Sequence, residues 1–155
     1  MAECAVIRAP INGGAPRPIG ALTDDDWDAA WEQPMRQVIA ALRDARAAGA
    51  RRIVVVVPTS AMSGAAGYCA ESATAEAIRV LVKSAARQWG PDGITVNAVA
   101  VPPGEFGIDA GTVSLAPPAR ADADFGAVVD WLCSPAGSNV TGATITVDGG
   151  VWMTA

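Results

Sequence analysis

The sequence contains no histidine and only one lysine, Lys83, among its 155 residues. Without histidine it lacks the most common metal ligand and the most common general base of proteins. Its three cysteines, Cys4, Cys69 and Cys133, lie far apart and form no C-x-x-C pair. We therefore expect no bound metal and no disulfide framework, and we interpret the cysteines as buried free thiols.

Charge and hydropathy exclude two further classes of protein. The net charge of −5 arises from acidic and basic residues scattered along the chain, and no basic stripe favours nucleic-acid binding. No apolar run approaches the ~20 residues of a membrane span, and the first residues do not resemble a secretory signal. The sequence therefore predicts a cytoplasmic protein that binds neither nucleic acids nor membranes.

The order of apolar patterns predicts an α/β fold. Hydrophobic residues make up 51% of the chain, and no linker divides it, so we expect one domain spanning residues 1–155. Apolar runs predict strands at residues 4–7, 53–57, 94–101 and 143–147. Helical spacing predicts helices near residues 23–49, 68–89 and 125–132. This alternation is typical of a parallel sheet flanked by helices.

Three details of the helices can be predicted. Thr23 followed by Asp26 is a capping-box pattern, and it marks the start of the first helix. Pro34 falls inside the same helix and predicts a kink, because proline has no N–H to donate. The apolar face of the second helix is predicted at Ala73, Ala77, Ile78, Leu81, Val82 and Ala85.

Three segments carry the pattern of a known family. They read LTDDDWDAAWEQPMRQVIAALRDARAAGARRIVVVV, GITVNAVAVPPG and VVDWLCSPAGSNVTGATITVDGG. In order and spacing they resemble the C-terminal half of the short-chain dehydrogenase/reductase (SDR) family, from about Ala5 to Trp152. The resemblance implies a truncated Rossmann-like three-layer sandwich with about four parallel strands, corresponding to strands four to seven of the family.

The resemblance also implies that the family's Gly-rich dinucleotide loop is missing. In the family this loop joins the first strand to the first helix, and its N–H groups hold the pyrophosphate. Here Gly13 and Gly14 follow a strand without opening a helix, so we interpret them as a turn. Where the family usually has Asn-Asn-Ala-Gly, the chain has Ile7-Arg8-Ala9-Pro10. We therefore expect no cofactor in this truncated domain.

The family's active site consists of Asn, Ser, Tyr and Lys. The resemblance places these residues on Pro34, Ser60 (or, in the next register, Thr59), Tyr68 and Ser72. An isolated tyrosine has a pKa near ~10, and lowering it by ~3 units takes roughly 4 kcal/mol. Ser72 supplies no positive charge for this purpose, and Lys83 lies roughly three turns further along the helix. Tyr68 and Ser60 are the candidate site residues, but the family's proton relay is not expected within this chain.

Several residues have two open interpretations. Tyr68 is either part of a remnant site or a packing residue with its hydroxyl in solvent. Arg8 and Arg17 are either ligands of an anion or solvated surface charges, and we favour the second. Glu71 is either a base beside Tyr68 or, as we favour, a charge that suits the start of a helix. The five tryptophans are interpreted as core or interface anchors.

We favour a non-catalytic function. By resemblance, the retained helices and last strand build the family's subunit contacts, and the first strand would form an open sheet edge that invites pairing. The first hypothesis is therefore an SDR-like subunit that forms a homo-oligomer, or a hetero-oligomer with a full-length SDR protein, and supports its fold or substrate pocket.

Two other hypotheses stay open. One is an isomerase, dehydratase or cyclase that needs no dinucleotide and polarises a carbonyl with Tyr68 and Ser60. It requires that Tyr68 lie in a closed pocket with a second polar group, and it fails if Tyr68 opens onto bulk solvent. The other is a composite oxidoreductase site, in which a partner chain supplies the nucleotide half.

Overall fold

The computed structural model describes residues 3–111 and 125–152. Its strands form one parallel sheet in the order β1 (Cys4–Arg8), β2 (Arg52–Pro58), β3 (Thr95–Val101) and β4 (Thr144–Thr146). Every strand pair is parallel, which confirms the predicted fold class. The central strands β2 and β3 are almost wholly buried, as their continuous apolar sequences indicate.

Helices cover both faces of the sheet. They are α1 (Asp24–Trp27), α2 (Gln33–Ala47), α3 (Ser60–Ser63), α4 (Cys69–Trp89) and α5 (Gly126–Cys133). Helix α4 packs on β2 and β3, and α2 packs on β1 and on α4. Helix α5 also packs on β1, β2 and β3 but shares no extensive interface with α4 among the described residues, so it covers the opposite face. The result is the predicted three-layer sandwich.

The start of the first helical region agrees with the sequence, and the region is irregular in the turn before Pro34. The hydroxyl of Thr23 accepts from the N–H of Asp26, and the Asp26 carboxylate accepts from the N–H of Thr23 at 3.1 Å. The irregularity is a π-helical turn at Asp28–Glu32, just before α2. Pro34 lies just after this turn, and a proline there has no N–H for the Ala30 carbonyl to accept.

The buried face of α4 is rotated from the predicted one. Ile78, Val82 and Ala85 are buried as expected, but Ala73 is exposed and Ser72 is buried. The reason is that the first turns of α4 pack against α3 and the π-helical turn as well as against the sheet. There the hydroxyl of Thr74 lies 2.7 Å from the Ala30 carbonyl oxygen, which ties α4 to the π-helical turn.

A disulfide bond joins Cys4 of β1 to Cys133, the last residue of α5. The expectation of three free thiols is therefore wrong for these two residues, and Cys69 is the free cysteine. The Cα atoms of the pair lie 5.4 Å apart, although 129 residues separate them in the sequence. Linear spacing does not reveal this pair, because β1 and α5 meet only after the chain has folded across the sheet.

Strand β1 is an edge strand, since β2 is the one strand that pairs with it within the described residues. Its Val6 side chain is 55% exposed. None of the helices in the described part of the chain has both the length and the hydropathy needed to cross a membrane. The loop predicted at residues 102–121 is described as far as Gly111, and it begins with a 3₁₀ turn at Pro103–Phe106.

Candidate functional site

Tyr68 is buried at the N-terminal end of α4. Its side chain is 2% exposed, and its hydroxyl donates a hydrogen bond to the Gly14 carbonyl oxygen at 3.3 Å. The interpretation of Tyr68 as a packing residue with its hydroxyl in solvent is therefore wrong. The phenol also does not open onto bulk solvent, which was the condition that would have excluded a dinucleotide-independent enzyme.

The segment of residues 12–18 passes over the Tyr68 hydroxyl, and we call it the strap. Near its start the N–H of Gly13 donates to the Phe106 carbonyl oxygen at 2.8 Å. Near its end the N–H of Arg17 donates to the Gly67 carbonyl oxygen at 2.7 Å. The strap is thus held to the loop after β3 at one end and to the residue before Tyr68 at the other.

Side chains reinforce the second of these attachments. A Cβ atom on Gly67 would lie 2.6 Å from the Cβ of Pro16, so the strap packs directly on the backbone that leads into α4. The guanidinium of Arg17 forms an ion pair with the carboxylate of Asp26. Arg17 is therefore a surface charge, as the favoured interpretation has it, and Asp26 is its acidic partner.

Arg8 and the two glycines also have definite partners. The Arg8 guanidinium donates to the Glu105 carbonyl oxygen and lies over the Phe106 ring, 4.3 Å from its centroid. Gly13 and Gly14 lie in irregular backbone beside a bend at Ala15; Gly14 has φ +60°, and its carbonyl accepts from Tyr68. The Gly13 N–H is bonded to the Phe106 carbonyl oxygen, so it is not free to hold a phosphate.

Ser60 and Tyr68 belong to the ends of two helices that pack together, and no hydrogen bond joins the two in the described part of the chain. Ser60 begins α3, which packs against α4, and its side chain is fully buried. Its hydroxyl has no hydrogen-bond partner among the described residues. The same holds for Thr59, the alternative register, and for Ser72, which occupies the lysine position. Among the described residues, the site therefore contains buried hydroxyls, and no hydrogen bond links the phenol to a cation.

A cavity of about 300 Å³ lies between the strap, the α1–α2 region and the start of α4. Polar side chains in its lining are Asn12, Arg17, Asp26 and Glu71. Because Arg17 and Asp26 pair with each other, the Glu71 carboxylate is the charge of this lining without an ion pair among the described residues. Neither Tyr68 nor Ser60 lines the cavity, so it does not present the two candidate hydroxyls to a common ligand.

No group of histidine, cysteine or acidic side chains in the described residues has the arrangement of a metal site. The strap is the part of the site that sequence patterns do not reveal. The strap residues Gly13, Pro16 and Arg17 make the contacts that cover Tyr68, and the sequence patterns alone do not predict these contacts. The closely spaced glycines and prolines of residues 13–18 are the sequence signal that could have indicated a tightly held segment.

Replacing Ser60 with alanine is expected to raise the free energy of unfolding by about 1 kcal/mol, because a buried hydroxyl without a partner costs about 1–3 kcal/mol. Ser72→Ala should act in the same direction, and urea unfolding measures both. Ser63→Ala is the matched control, since the Ser63 hydroxyl already donates to the Gly64 carbonyl oxygen at 2.9 Å. Loss of stability in Ser60→Ala would contradict the absence of a partner.

Comparison with known proteins covers nearly the whole chain. The family model described as enoyl-(acyl carrier protein) reductase matches residues 7–152. A tropinone reductase homolog from Arabidopsis thaliana is 32% identical over 117 residues, which is 68% of this chain and 44% of the relative. This chain thus spans less than half the length of that relative.

Two solved structures are similar in sequence as well as in fold. A 3-oxoacyl-[acyl-carrier protein] reductase with bound NAD from Brucella melitensis has a TM-score of 0.73 and 28% identity, over 98% of this chain and 63% of that one. A dehydrogenase/reductase from Sinorhizobium meliloti 1021 has a TM-score of 0.69 and 27% identity, over 96% of this chain and 63% of that one. The chain therefore belongs to the short-chain dehydrogenase/reductase family.

Proposed function

We propose that this chain is a non-catalytic SDR-like subunit that associates with itself or with a full-length SDR oxidoreductase and supports the partner's fold or substrate pocket. The observation that carries the proposal is that the Tyr68 hydroxyl is covered and hydrogen-bonded within the chain. The phenol is buried beneath the strap and hydrogen-bonded to Gly14, and a neutral serine, Ser72, stands at the lysine position.

The chemistry of proton transfer explains why this observation matters. A catalytic phenol has to reach the oxygen of a substrate and exchange its proton with it, usually within about 3 Å. The Tyr68 proton is directed at a backbone carbonyl instead, and the strap occupies the space beside it. No lysine lies beside it to favour the phenolate, since Lys83 is on an exposed position further along α4. These features favour a structural use of the tyrosine.

Association is supported by exposed apolar side chains on the α2–α4 side of the sheet. Trp27, Ile39 and Val80 are between 40% and 48% exposed, and Trp27 stacks on Trp31 with ring centroids 5.3 Å apart. Tryptophan is a frequent anchor of protein interfaces. The open edge of β1, with Val6 exposed, adds a second surface that a partner would cover.

Isothermal titration calorimetry with NADH and NADPH is expected to show no binding to the purified chain. A full-length SDR enzyme, titrated under the same conditions, is the positive control. A dissociation constant in the micromolar range would refute the non-catalytic assignment. Size-exclusion chromatography with light scattering tests the second half of the proposal independently, because a strictly monomeric chain that also fails to bind a full-length SDR protein would contradict association.

A dinucleotide-independent enzyme is the second candidate, and the burial of Tyr68 with the unpartnered hydroxyl of Ser60 favours it. The cavity beside the strap argues against this candidate, because neither Tyr68 nor Ser60 lines it. A composite site completed by a partner chain is a third candidate. This chain spans only 63% of the Brucella reductase, so a partner would have to supply the part that corresponds to the rest. Copurification from the native host followed by mass spectrometry would identify such a partner.

A cytoplasmic location stays a prediction. The disulfide between Cys4 and Cys133 favours a more oxidising environment, because structural disulfides are rare in the reducing cytosol. Alkylation of free thiols in intact cells, before extraction, would measure the fraction of the protein that carries this bond in its own compartment.

A further inference from the structure

The strap is held over Tyr68 by three backbone attachments and one pair of side chains. The backbone attachments are the bonds of Gly13, Gly14 and Arg17 described above. The pair of side chains is Arg17 with Asp26, and both lie at the surface, with 53% and 22% of their side chains exposed. This ion pair is therefore the attachment that solvent, salt or a competing charge reaches first.

We propose that the Arg17–Asp26 ion pair is a latch that keeps the strap closed over Tyr68, and that breaking the latch exposes the phenol. This inference goes beyond the proposed function and does not rest on it. It concerns access to Tyr68, and it holds equally for a subunit that never catalyses and for an enzyme that opens to admit a substrate.

Burial does little to keep the strap in place. Residues 14–18 are all exposed, so opening them uncovers little apolar surface and loses mainly hydrogen bonds and the ion pair. At its start the strap is anchored more firmly, because Gly13 is buried and packs on the backbone of Gly107. Opening is therefore expected to begin at the Arg17 end, where the latch lies.

Asp26 is held in position before Arg17 reaches it. Its carboxylate accepts from the N–H of Thr23 at 3.1 Å and from the Thr23 hydroxyl at 2.8 Å as part of the capping box. Because this acceptor is already ordered, closing the latch costs mainly the conformational entropy of the arginine. Glu71 lines the same cavity as Arg17 and adds negative charge there, which favours the closed state further.

The test uses the fact that Tyr68 is the one tyrosine of the chain. Nitration by tetranitromethane, followed by peptide mass spectrometry, measures access to its ring, and a Cys69→Ser background removes the adjacent free thiol. Arg17→Ala is expected to raise the nitration rate at low ionic strength by about threefold to fivefold, the range that an exposed ion pair of ~1 kcal/mol or less allows.

Arg43→Ala is the matched control, because Arg43 is exposed on α2 and has no ion pair within the described residues. It should leave the rate unchanged, and Arg17→Lys should stay close to the parent. High salt should raise the rate of the parent protein and should not raise that of Arg17→Ala, since screening acts on the latch. Circular dichroism spectra of all variants verify that they are folded.

Two results would overturn the proposal. The first is an equal nitration rate in the parent and in folded Arg17→Ala. The second is a parent protein that nitrates as fast as its urea-unfolded form. If Arg17→Ala fails to fold, the salt dependence of the parent decides the question alone, and a rate independent of salt contradicts the latch.

Discussion

A variant without the Cys4–Cys133 disulfide is expected to lose about 3–5 kcal/mol of unfolding free energy relative to the oxidised parent. The bond closes a loop across 129 residues, and long loops lose the most chain entropy when they are closed in the unfolded state. It also ties the edge strand β1 to α5, whose buried side chains include Val129 and Leu132. The measurement is urea unfolding of Cys4→Ser/Cys133→Ser beside the oxidised parent.

Two controls make this result specific. Cys69→Ser should change the stability by no more than about 0.5 kcal/mol, because Cys69 takes no part in the bond. The reduced parent should unfold at the same urea concentration as the double variant. Titration of thiols in the unfolded, unreduced protein should find one free thiol, and a count of three would contradict the bond.

The strands were predictable because their sequences carry a strong physical signal. The run of β-branched residues Ile53–Val57 suits a strand buried on both faces, and β2 lies in the centre of the sheet with those residues buried. The capping box at Thr23 was predictable for the same reason, since its contacts are local. Pro34 predicts an interruption one turn earlier, and the π-helical turn at Asp28–Glu32 contains Ala30, the residue whose carbonyl a proline at position 34 crowds.

The candidate site was predictable only in part. The position of Tyr68 at the start of α4 followed from motif resemblance, and the structure places it there. Its burial did not follow, because it depends on a strap whose Gly14 lies 54 residues away in the sequence. The disulfide was missed for the same reason. Contacts that form between distant segments leave no periodicity in either one, so composition and spacing carry no signal for them.

The buried hydroxyls near Tyr68 show how the site and the fold are related. Thr59 and Ser60 follow the carboxyl end of β2, where parallel sheets commonly bind ligands. Both hydroxyls are buried without partners in the described part of the chain, as is that of Ser72. A fold selected for stability alone would replace such groups, because each one lowers the free energy of unfolding.

Gly13→Ala is expected to lower the free energy of unfolding by about 2–3 kcal/mol, because the added methyl group overpacks a site that has no room. A Cβ on Gly13 would lie 2.7 Å from the Gly107 carbonyl carbon and 2.7 Å from Cγ1 of Ile108. The carbonyl belongs to the backbone, so it cannot turn aside as a flexible side chain would. The N–H of Gly13 also bonds to Phe106, and displacement of residue 13 weakens that bond.

Gly20→Ala is the matched control for this change, since nothing lies within 4 Å of its Cβ position and its φ is not positive. It should alter stability by no more than about 0.5 kcal/mol, as surface substitutions usually do. Urea unfolding of the two variants compares the change in unfolding free energy at a packed glycine with that at an open glycine, both in the connection between β1 and α1. Equal stability of the two variants would mean that residue 13 does not pack on the loop after β3. The strap would then lack its firm anchor, and Tyr68 would be covered only by the attachments around Arg17.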